Sequence, residues 1–339
     1  MRPNFLDVSK SIGIWIVIIG HYPYFFDIQF ENNLIWNVAH IVTLFHMPLF
    51  FYISGLLHKY REFKPEVKNL WERLITPYLL LSLFVFIINY IFEYIYTRNF
   101  SINDIASATI GTLSGNTIGY NECAGPLWFV YSLITVKLII AFSENQLQKY
   151  CNIIFLLCVT CGLVIMYTGY RIPLRISSSL IGFIFFILGY KTKKIILIFE
   201  QISKTKIIFF ALISLAVLFV CAKYNINFNA RNGGLSINTL RFGEYPILFF
   251  ISGMAGVGFV FSISELLLKF GFKNNLMLLV SKANIVILAF HKLIYYLCRG
   301  FITDYNITSL LCFSIFNLAV CTLIYYLLSN NIPLITGKR

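Results

Sequence analysis

Apolar runs recur along this chain, each about 20 residues long, which is enough to cross a hydrocarbon core of about 30 Å as a helix. Inside a bilayer every backbone polar group must be paired, and runs of this length satisfy that requirement as helices. The composition agrees, because 58% of the 339 residues are hydrophobic and only 12% are charged. The sequence therefore predicts an all-α, polytopic transmembrane helical bundle.

The apolar runs predict about ten helices. We place them at residues 12–26, 34–57, 74–96, 126–142, 152–167, 176–190, 207–222, 245–268, 283–297 and 307–328. The ninth is expected to begin only after Ser281 and Lys282, which interrupt its apolar run. The basic segment 58–73 is expected to be an inner loop, and residues 97–124 and 223–244 are expected to be outer loops.

Most lysines and arginines fall in connections on one side of this arrangement, and such loops mark the cytoplasmic side. Both termini are therefore expected to be cytoplasmic, and residues 1–339 are expected to form a single transmembrane domain with no appended soluble domain. The first apolar segment contains Lys10 and His21 and lacks a small-residue cleavage site, so it should stay as a helix rather than act as a signal peptide.

The formal net charge of +13 does not indicate nucleic-acid binding, because the basic residues are spread over short loops and form no patch. A basic inner face suits an anionic cofactor instead. The eight cysteines lie mostly within apolar helices, where cysteine packs as a small hydrophobic residue. They indicate neither a disulfide framework nor a metal site.

Five residues of the first helix, Asp7, Lys10, Ile14, Val17 and His21, are spaced by three and four positions and so form one stripe. The rise from Lys10 to His21 is about 16 Å. One face of the helix is therefore expected to carry a cation at the inner boundary and an imidazole near mid-membrane. Ionisable side chains are costly in hydrocarbon and are usually functional there.

His46, in the antiparallel second helix, is expected at a depth similar to that of His21, so the two imidazoles are predicted to share a polar cavity. An interhelical hydrogen bond would also explain one intramembrane histidine, but two at matched depth favour a site. Of the remaining histidines, His40 is expected to be interfacial, His58 to be a solvated loop residue, and His291 to be structural or gating.

The run D-V-S-K-S-I-G-I-W-I-V-I-I-G-H at residues 7–21, followed by F-H-M-P-L-F-F-Y-I-S-G, R-L-I-T-P-Y and L-W-F, resembles the acyltransferase-3 family of integral-membrane acyltransferases. The chain looks closest to the fucose-4-O-acetylase-like branch. The family's signature is a basic residue followed, after ten positions, by a histidine, and Lys10 and His21 match it. Many members have arginine at the first position; lysine keeps the charge but lacks the bidentate fork.

The resemblance implies that an acyl group moves from cytoplasmic acyl-CoA to a hydroxyl of a cell-surface glycan or its lipid-linked precursor, at the cell's inner (cytoplasmic) membrane. We expect acetyl-CoA as the donor and no metal. His21 would be the general base, because the pKa of a free imidazole lies near neutrality. His46 and Lys10 would orient or tune the site, and Lys10 or a protonated second histidine would stabilise the oxyanion.

Further roles follow from the same resemblance. Lys10 and Arg73 are assigned to the acyl-CoA donor, although Arg73 is equally explained as an arginine that anchors the inner end of a helix. Substrate contacts are assigned to Asp7 and Trp128, although Trp128 also fits an interfacial anchor. Pro48 is expected to kink the second helix beside His46, either opening a cavity or as a tolerated packing feature.

The outer loops are where contacts with the sugar are expected, and the candidates there are Asn116, Asn121, Arg231 and Asn232. The alternative function is a transporter or translocator of a sugar or lipid-linked sugar, since intramembrane polar residues also suit a substrate pathway. Many transporters contain internal repeats, and no such repeat is evident in this sequence.

Overall fold

A computed structural model of the chain describes residues 4–25, 33–97, 102–115, 122–146, 148–226, 234–272, 275–298, 300 and 306–337. The predicted all-α bundle is confirmed: within these ranges the chain is a set of helices joined by short connections, without a β-strand. The helices are α1 Phe5–Phe25, α2 Asn33–Thr43, α3 His46–Leu56, α4 Phe63–Leu70, α5 Thr76–Thr97, α6 Ile102–Leu113, α7 Trp128–Gln146, α8 Cys151–Thr168, α9 Ile176–Lys191, α10 Ile195–Gln201, α11 Lys204–Asn225, α12 Pro246–Lys269, α13 Asn275–Cys298 and α14 Ile307–Asn331.

Nine stretches of the described chain are long and apolar enough to cross a membrane, and α9, at 16 residues, is a shorter apolar helix. Together they correspond to the predicted helices. The inner elements of the bundle are α1, α3, α9 and α13, which carry most of the fully buried large side chains. Helices α8, α11 and α14 present exposed leucine, isoleucine and phenylalanine side chains outward, as lipid-facing helices do.

Helix α1 begins at Phe5, several residues before the predicted start, because Asn4 and Asp7 cap it reciprocally. The side chain of Asn4 accepts from the Asp7 backbone N–H at 2.9 Å, and the Asp7 carboxylate accepts from the Asn4 backbone N–H at 3.1 Å. This capping box satisfies two of the backbone donors that a helix leaves unpaired at its start. Asp7 and Lys10 therefore lie within the helix.

The predicted single helix over residues 34–57 is wrong in one respect, because the chain breaks between α2 and α3 at Leu44 and Phe45. Pro48 explains the position of the break. Proline has no N–H to donate to the carbonyl of Leu44, four residues earlier, and its ring crowds that carbonyl. His46 consequently stands at the first position of a new helix.

Three other boundaries also differ from the predictions. The basic segment 58–73 was expected to be a loop, yet α4 and a π-helical turn at Trp71–Ile75 lead directly into α5. The predicted outer loop at 97–124 contains α6. Helix α13 begins at Asn275 and runs through Ser281 and Lys282, since the Ser281 hydroxyl donates to the Asp7 carboxylate at 3.0 Å and ties the two helices together.

Glycines bring α3 and α9 into backbone contact at the centre of the bundle. A Cβ on Gly55 would overlap the carbonyl oxygen of Phe186, and a Cβ on Gly189 would overlap that of Tyr52. Small residues at such a seam let membrane helices pack closely without a hydrophobic driving force. The seam fixes the position of α3, whose first residue is His46.

Candidate active site

Three histidines from three different helices meet inside the bundle. The ring centroid of His21, near the end of α1, lies 6.2 Å from that of His46 and 5.0 Å from that of His291 in α13. Both pairs meet edge to face, with interplanar angles of 77° and 66°. The structure thus brings together the two histidines that the sequence paired and adds a third.

The hydrogen bonds of these histidines fix which ring nitrogen carries a proton. In each ring Nδ1 bonds the backbone carbonyl oxygen four residues earlier, at 2.8 Å for His21, 2.9 Å for His46 and 2.8 Å for His291. A carbonyl oxygen only accepts, so Nδ1 must be the N–H donor. In the neutral ring Nε2 then holds the lone pair, and it is the nitrogen that can take a proton from a substrate.

His46 makes this bond across the helix break. Its partner is the carbonyl of Val42, which belongs to the last turn of α2. The final carbonyls of a helix have no partner within that helix. The imidazole therefore links the two helices, and His46 is held both by its place at the start of α3 and by the end of α2. His21 and His291 make the same bond within unbroken helices.

A cavity of about 220 Å³ lies beside His21 and His46. Its walls come from the ends of several helices and from a hairpin at residues 234–245, in which Ser236 and Arg241 pair antiparallel through two backbone hydrogen bonds. The lining residues are Gly20, His21, Tyr24, Thr43, His46, Met47, Pro126, Trp128, Gly234, Ser236, Asn238, Thr239, Arg241 and Lys292. The cavity thus combines two imidazoles, an indole, the arginine Arg241 and the lysine Lys292.

Lys292 brings the ammonium group to this cavity. It follows His291 directly in α13, and successive helical residues point about 100° apart, so His291 is buried at the back while Lys292 lines the cavity. A Cβ built on Gly125 would lie 3.4 Å from Lys292 Nζ, so the ammonium lies against the short helix Glu122–Leu127. That helix leads directly into Trp128 at the start of α7.

Comparison with known families identifies the chain. A family model described as an acyltransferase domain, that of acyltransferase-3, matches residues 4–326. The chain belongs to the acyltransferase-3 family. No curated protein and no solved structure matched the chain in the corresponding searches.

The acyltransferase is therefore a multi-pass membrane protein, and its three central histidines lie in the part of the chain that the family covers. Among the residues predicted for the site, His21, His46 and Trp128 line the same cavity. Trp128 is buried, and its ring packs edge to face on that of Phe129, with 6.3 Å between centroids. Acyl transfer needs a base and an oxyanion partner together, and this cavity holds candidates for both.

The other predicted site residues lie elsewhere. The Asp7 carboxylate caps the start of α1 and accepts a hydrogen bond from the Ser281 hydroxyl. Lys10 is half-buried on α1, about 16 Å of helix rise from His21, and does not line the cavity. Arg73 is exposed in the π-helical turn, where its backbone carbonyl meets Gly337. The structure therefore separates the two members of the signature pair along the helix.

The predicted sugar-contacting residues Asn116, Asn121, Arg231 and Asn232 lie outside the described residues. Sequence reasoning missed the cavity roles of Lys292 and Arg241, and it treated His291 only as structural or gating. A signal for α13 was present, because an intramembrane histidine followed by a lysine is doubly costly in hydrocarbon. Across the ranges that the structure describes, no group of three or more histidine, cysteine, aspartate or glutamate side chains is placed to hold a metal ion.

Proposed function

We propose that this acyltransferase is an O-acetyltransferase that moves an acetyl group from cytoplasmic acetyl-CoA to a hydroxyl of a cell-surface glycan or its lipid-linked precursor. One observation carries the proposal: imidazoles whose Nδ1–H donates to a backbone carbonyl stand with a lysine around one cavity of a family acyltransferase. The fucose-4-O-acetylase-like motifs favour a hydroxyl of a 6-deoxyhexose as the acceptor.

His21 acts as the general base in this proposal. Its Nε2 takes the proton of the acceptor hydroxyl while the oxygen attacks the thioester carbonyl. The tetrahedral intermediate then collapses, the carbon–sulfur bond breaks, and the imidazolium returns the proton to the departing thiolate. The products are an acetyl ester and the free CoA thiol, and His21 is neutral again.

Lys292 and His46 complete the reacting centre. Attack on the thioester puts negative charge on the carbonyl oxygen, and a cation placed before the reaction stabilises it in a low-dielectric site. Lys292 lines the cavity with His21, whereas Lys10 does not, which favours Lys292 over Lys10 for this role. His46 orients the reacting groups, and Trp128 offers a flat apolar face to the acceptor sugar.

The donor's nucleotide is assigned to the opposite end of the bundle, where α1 begins and which we take as the cytoplasmic side. Basic residues recur in the connections there, and Lys10 and Arg73 add to the positive charge of this end. Asp7 keeps α1 and α13 in register beside Lys10. The enzyme then resides in the inner membrane, takes its donor from the cytoplasm and meets its acceptor at the hairpin end.

A donor-consumption assay tests the function. Purified enzyme in proteoliposomes is incubated with labelled acetyl-CoA and a panel of glycans, and both CoA thiol release and acetyl ester formation are measured. We expect wild type to form both and His21→Ala to form neither above background. Equal rates for the two proteins would reject His21 as the base. Failure of wild type to bind or consume acetyl-CoA with any acceptor would reject the donor and favour a transport function.

A further inference from the structure

A second and larger cavity, of about 770 Å³, opens at the hairpin end of the bundle. It is bounded by the ends of α8 and α11, the start of α12 and the outer side of the 234–245 hairpin. The lining residues are Met166, Tyr167, Thr168, Gly169, Tyr224, Asn225, Ile226, Leu235, Leu240, Arg241, Phe242, Gly243, Glu244 and Pro246. Nothing in the reaction described above uses this space.

The two cavities meet at one residue. Arg241 lines the large cavity and also the cavity that holds His21 and His46. Arg241 therefore lies between the large cavity and the reacting centre. The two cavities also differ in volume. The large cavity, at about 770 Å³, is within the range of about 300–1,000 Å³ usual for ligand sites, whereas the cavity beside His21, at about 220 Å³, falls below it.

The buried side-chain amide of Asn225 stabilises the wall of the large cavity. The Nδ2 of Asn225, at the end of α11, donates to the Phe242 carbonyl at 2.8 Å, and its Oδ1 accepts from the Tyr245 backbone N–H at 2.9 Å. Gly243, between these two points, has a φ of +80°, which favours glycine, and a Cβ there would overlap the Asn225 side chain. The hairpin is thereby fixed to α11, and a preformed site loses less entropy on binding.

The side chains that face this space suit a carbohydrate. Tyr167 and Tyr224 are 66% and 63% exposed, which leaves aromatic faces available to the C–H side of a sugar ring. Arg241 and Glu244 supply charged donors and acceptors for hydroxyl groups. The Glu244 carboxylate hydrogen-bonds the Tyr245 hydroxyl and raises its pKa, so this carboxylate is held at the rim.

We propose that the large cavity binds the part of the acceptor glycan that lies beyond the acylated sugar. This inference rests on the proposed function. The reacting sugar occupies the small cavity beside His21, and the adjoining sugars lie on Tyr167 and Tyr224, with Arg241 between the two parts. The cavity then selects acceptors by chain length, because a monosaccharide reaches only the small cavity.

The test compares a short acceptor with a long one. Acetylation of methyl fucoside and of a fucose-terminated tetrasaccharide is measured for wild type, Tyr167→Ala and Tyr224→Ala. Tyr326→Ala is the matched control, since this tyrosine of α14 is also exposed, at 52%, and does not line the cavity. We expect each cavity variant to raise KM for the tetrasaccharide about tenfold, equivalent to about 1.4 kcal/mol, with kcat and the KM for methyl fucoside unchanged.

Direct binding separates this proposal from the proposed function. Binding of the tetrasaccharide to wild type and to both variants is measured by saturation-transfer NMR without acetyl-CoA. Weaker binding by the variants supports the cavity even if no acetyl transfer occurs, in which case only the proposed function fails. Unchanged binding, or an equal effect of Tyr326→Ala, overturns the cavity assignment and leaves the tyrosines as interfacial residues. An equal rise in KM for both acceptors overturns it as well.

Discussion

Two buried regions of the bundle use histidine in opposite ways. In the cavity, His21 donates through Nδ1 to a backbone carbonyl, which leaves Nε2 with the lone pair. At the other end of the bundle, His58 bonds through Nε2 to the Glu144 carboxylate at 3.3 Å. A carboxylate accepts, so Nε2 of His58 must carry the proton, and its Nδ1 is buried inside the protein.

The hydrogen bonds around His58 join separate segments of the chain, which indicates a structural role. The residue is 2% exposed, so the prediction that it is a solvated loop residue is wrong. Glu144 also accepts a hydrogen bond from the Tyr190 hydroxyl at 2.7 Å, and Lys193 Nζ donates to the His58 carbonyl at 2.5 Å. This cluster joins the chain after α3 to the end of α7 and the end of α9.

The difference shows that the hydrogen-bond partner of a histidine, rather than its burial, decides whether its free ring nitrogen can face a substrate. His21 has a partner on its own helix, and its ring lines a cavity. The partners of His58 come from distant segments, so its bonds hold those segments together. The two regions should therefore respond to substitution in opposite ways, one in rate and the other in stability.

The largest effect is expected from replacing these two histidines in turn. His21→Gln should lower kcat by about 10²–10⁴-fold, the range typical of losing a general base, with little change in the thermal unfolding midpoint. His58→Gln should lower the unfolding midpoint and keep kcat per folded molecule. Transfer rates and unfolding in detergent are measured on the same preparations. Loss of rate in both variants without loss of stability would contradict the comparison.

The next effect concerns the cation. Lys292→Met should lower kcat by about 10²–10³-fold, because removing one oxyanion partner typically costs that much. Lys10→Met keeps the same length and also removes a charge, but from a position outside the cavity, so it should act mainly on KM for acetyl-CoA. Steady-state kinetics with both substrates varied separates the two. If Lys10→Met lowered kcat more than Lys292→Met, the oxyanion role would pass to Lys10.

A smaller effect is expected at the structural cluster itself. Glu144→Ala removes the acceptor of the His58 N–H and of the Tyr190 hydroxyl, and a buried donor left unpaired costs about 1–3 kcal/mol. The free energy of unfolding should fall by about this amount, with kcat unchanged. Glu144→Gln keeps an acceptor oxygen and should retain part of the stability. Equal losses from both variants would show that the charge of Glu144 matters more than its hydrogen bonds.

Much of this picture could be predicted from the sequence, and the reasons for the rest are physical. Apolar run length predicted the spanning helices, and antiparallel depth predicted that His21 meets His46. The inclusion of Lys292 depends on the rotation of α13 about its axis, which no single sequence fixes. The burial of His58 depends on Glu144 and on a segment distant in sequence, whereas its local context is basic and polar.

The smallest effect should come from Pro48, which sets the break between α2 and α3 and lies two residues after His46. Pro48→Ala restores an N–H that can bond the Leu44 carbonyl, so α2 and α3 can approach one continuous helix. We expect kcat to fall several-fold, on the order of 1 kcal/mol in barrier, as the His46 ring moves relative to His21. The control is Pro333→Ala, at the far end of the chain after α14. A fall in kcat for Pro48→Ala alone would tie the position of His46 to catalysis, whereas unchanged kcat would mean that the seam between α3 and α9 holds His46 without the break.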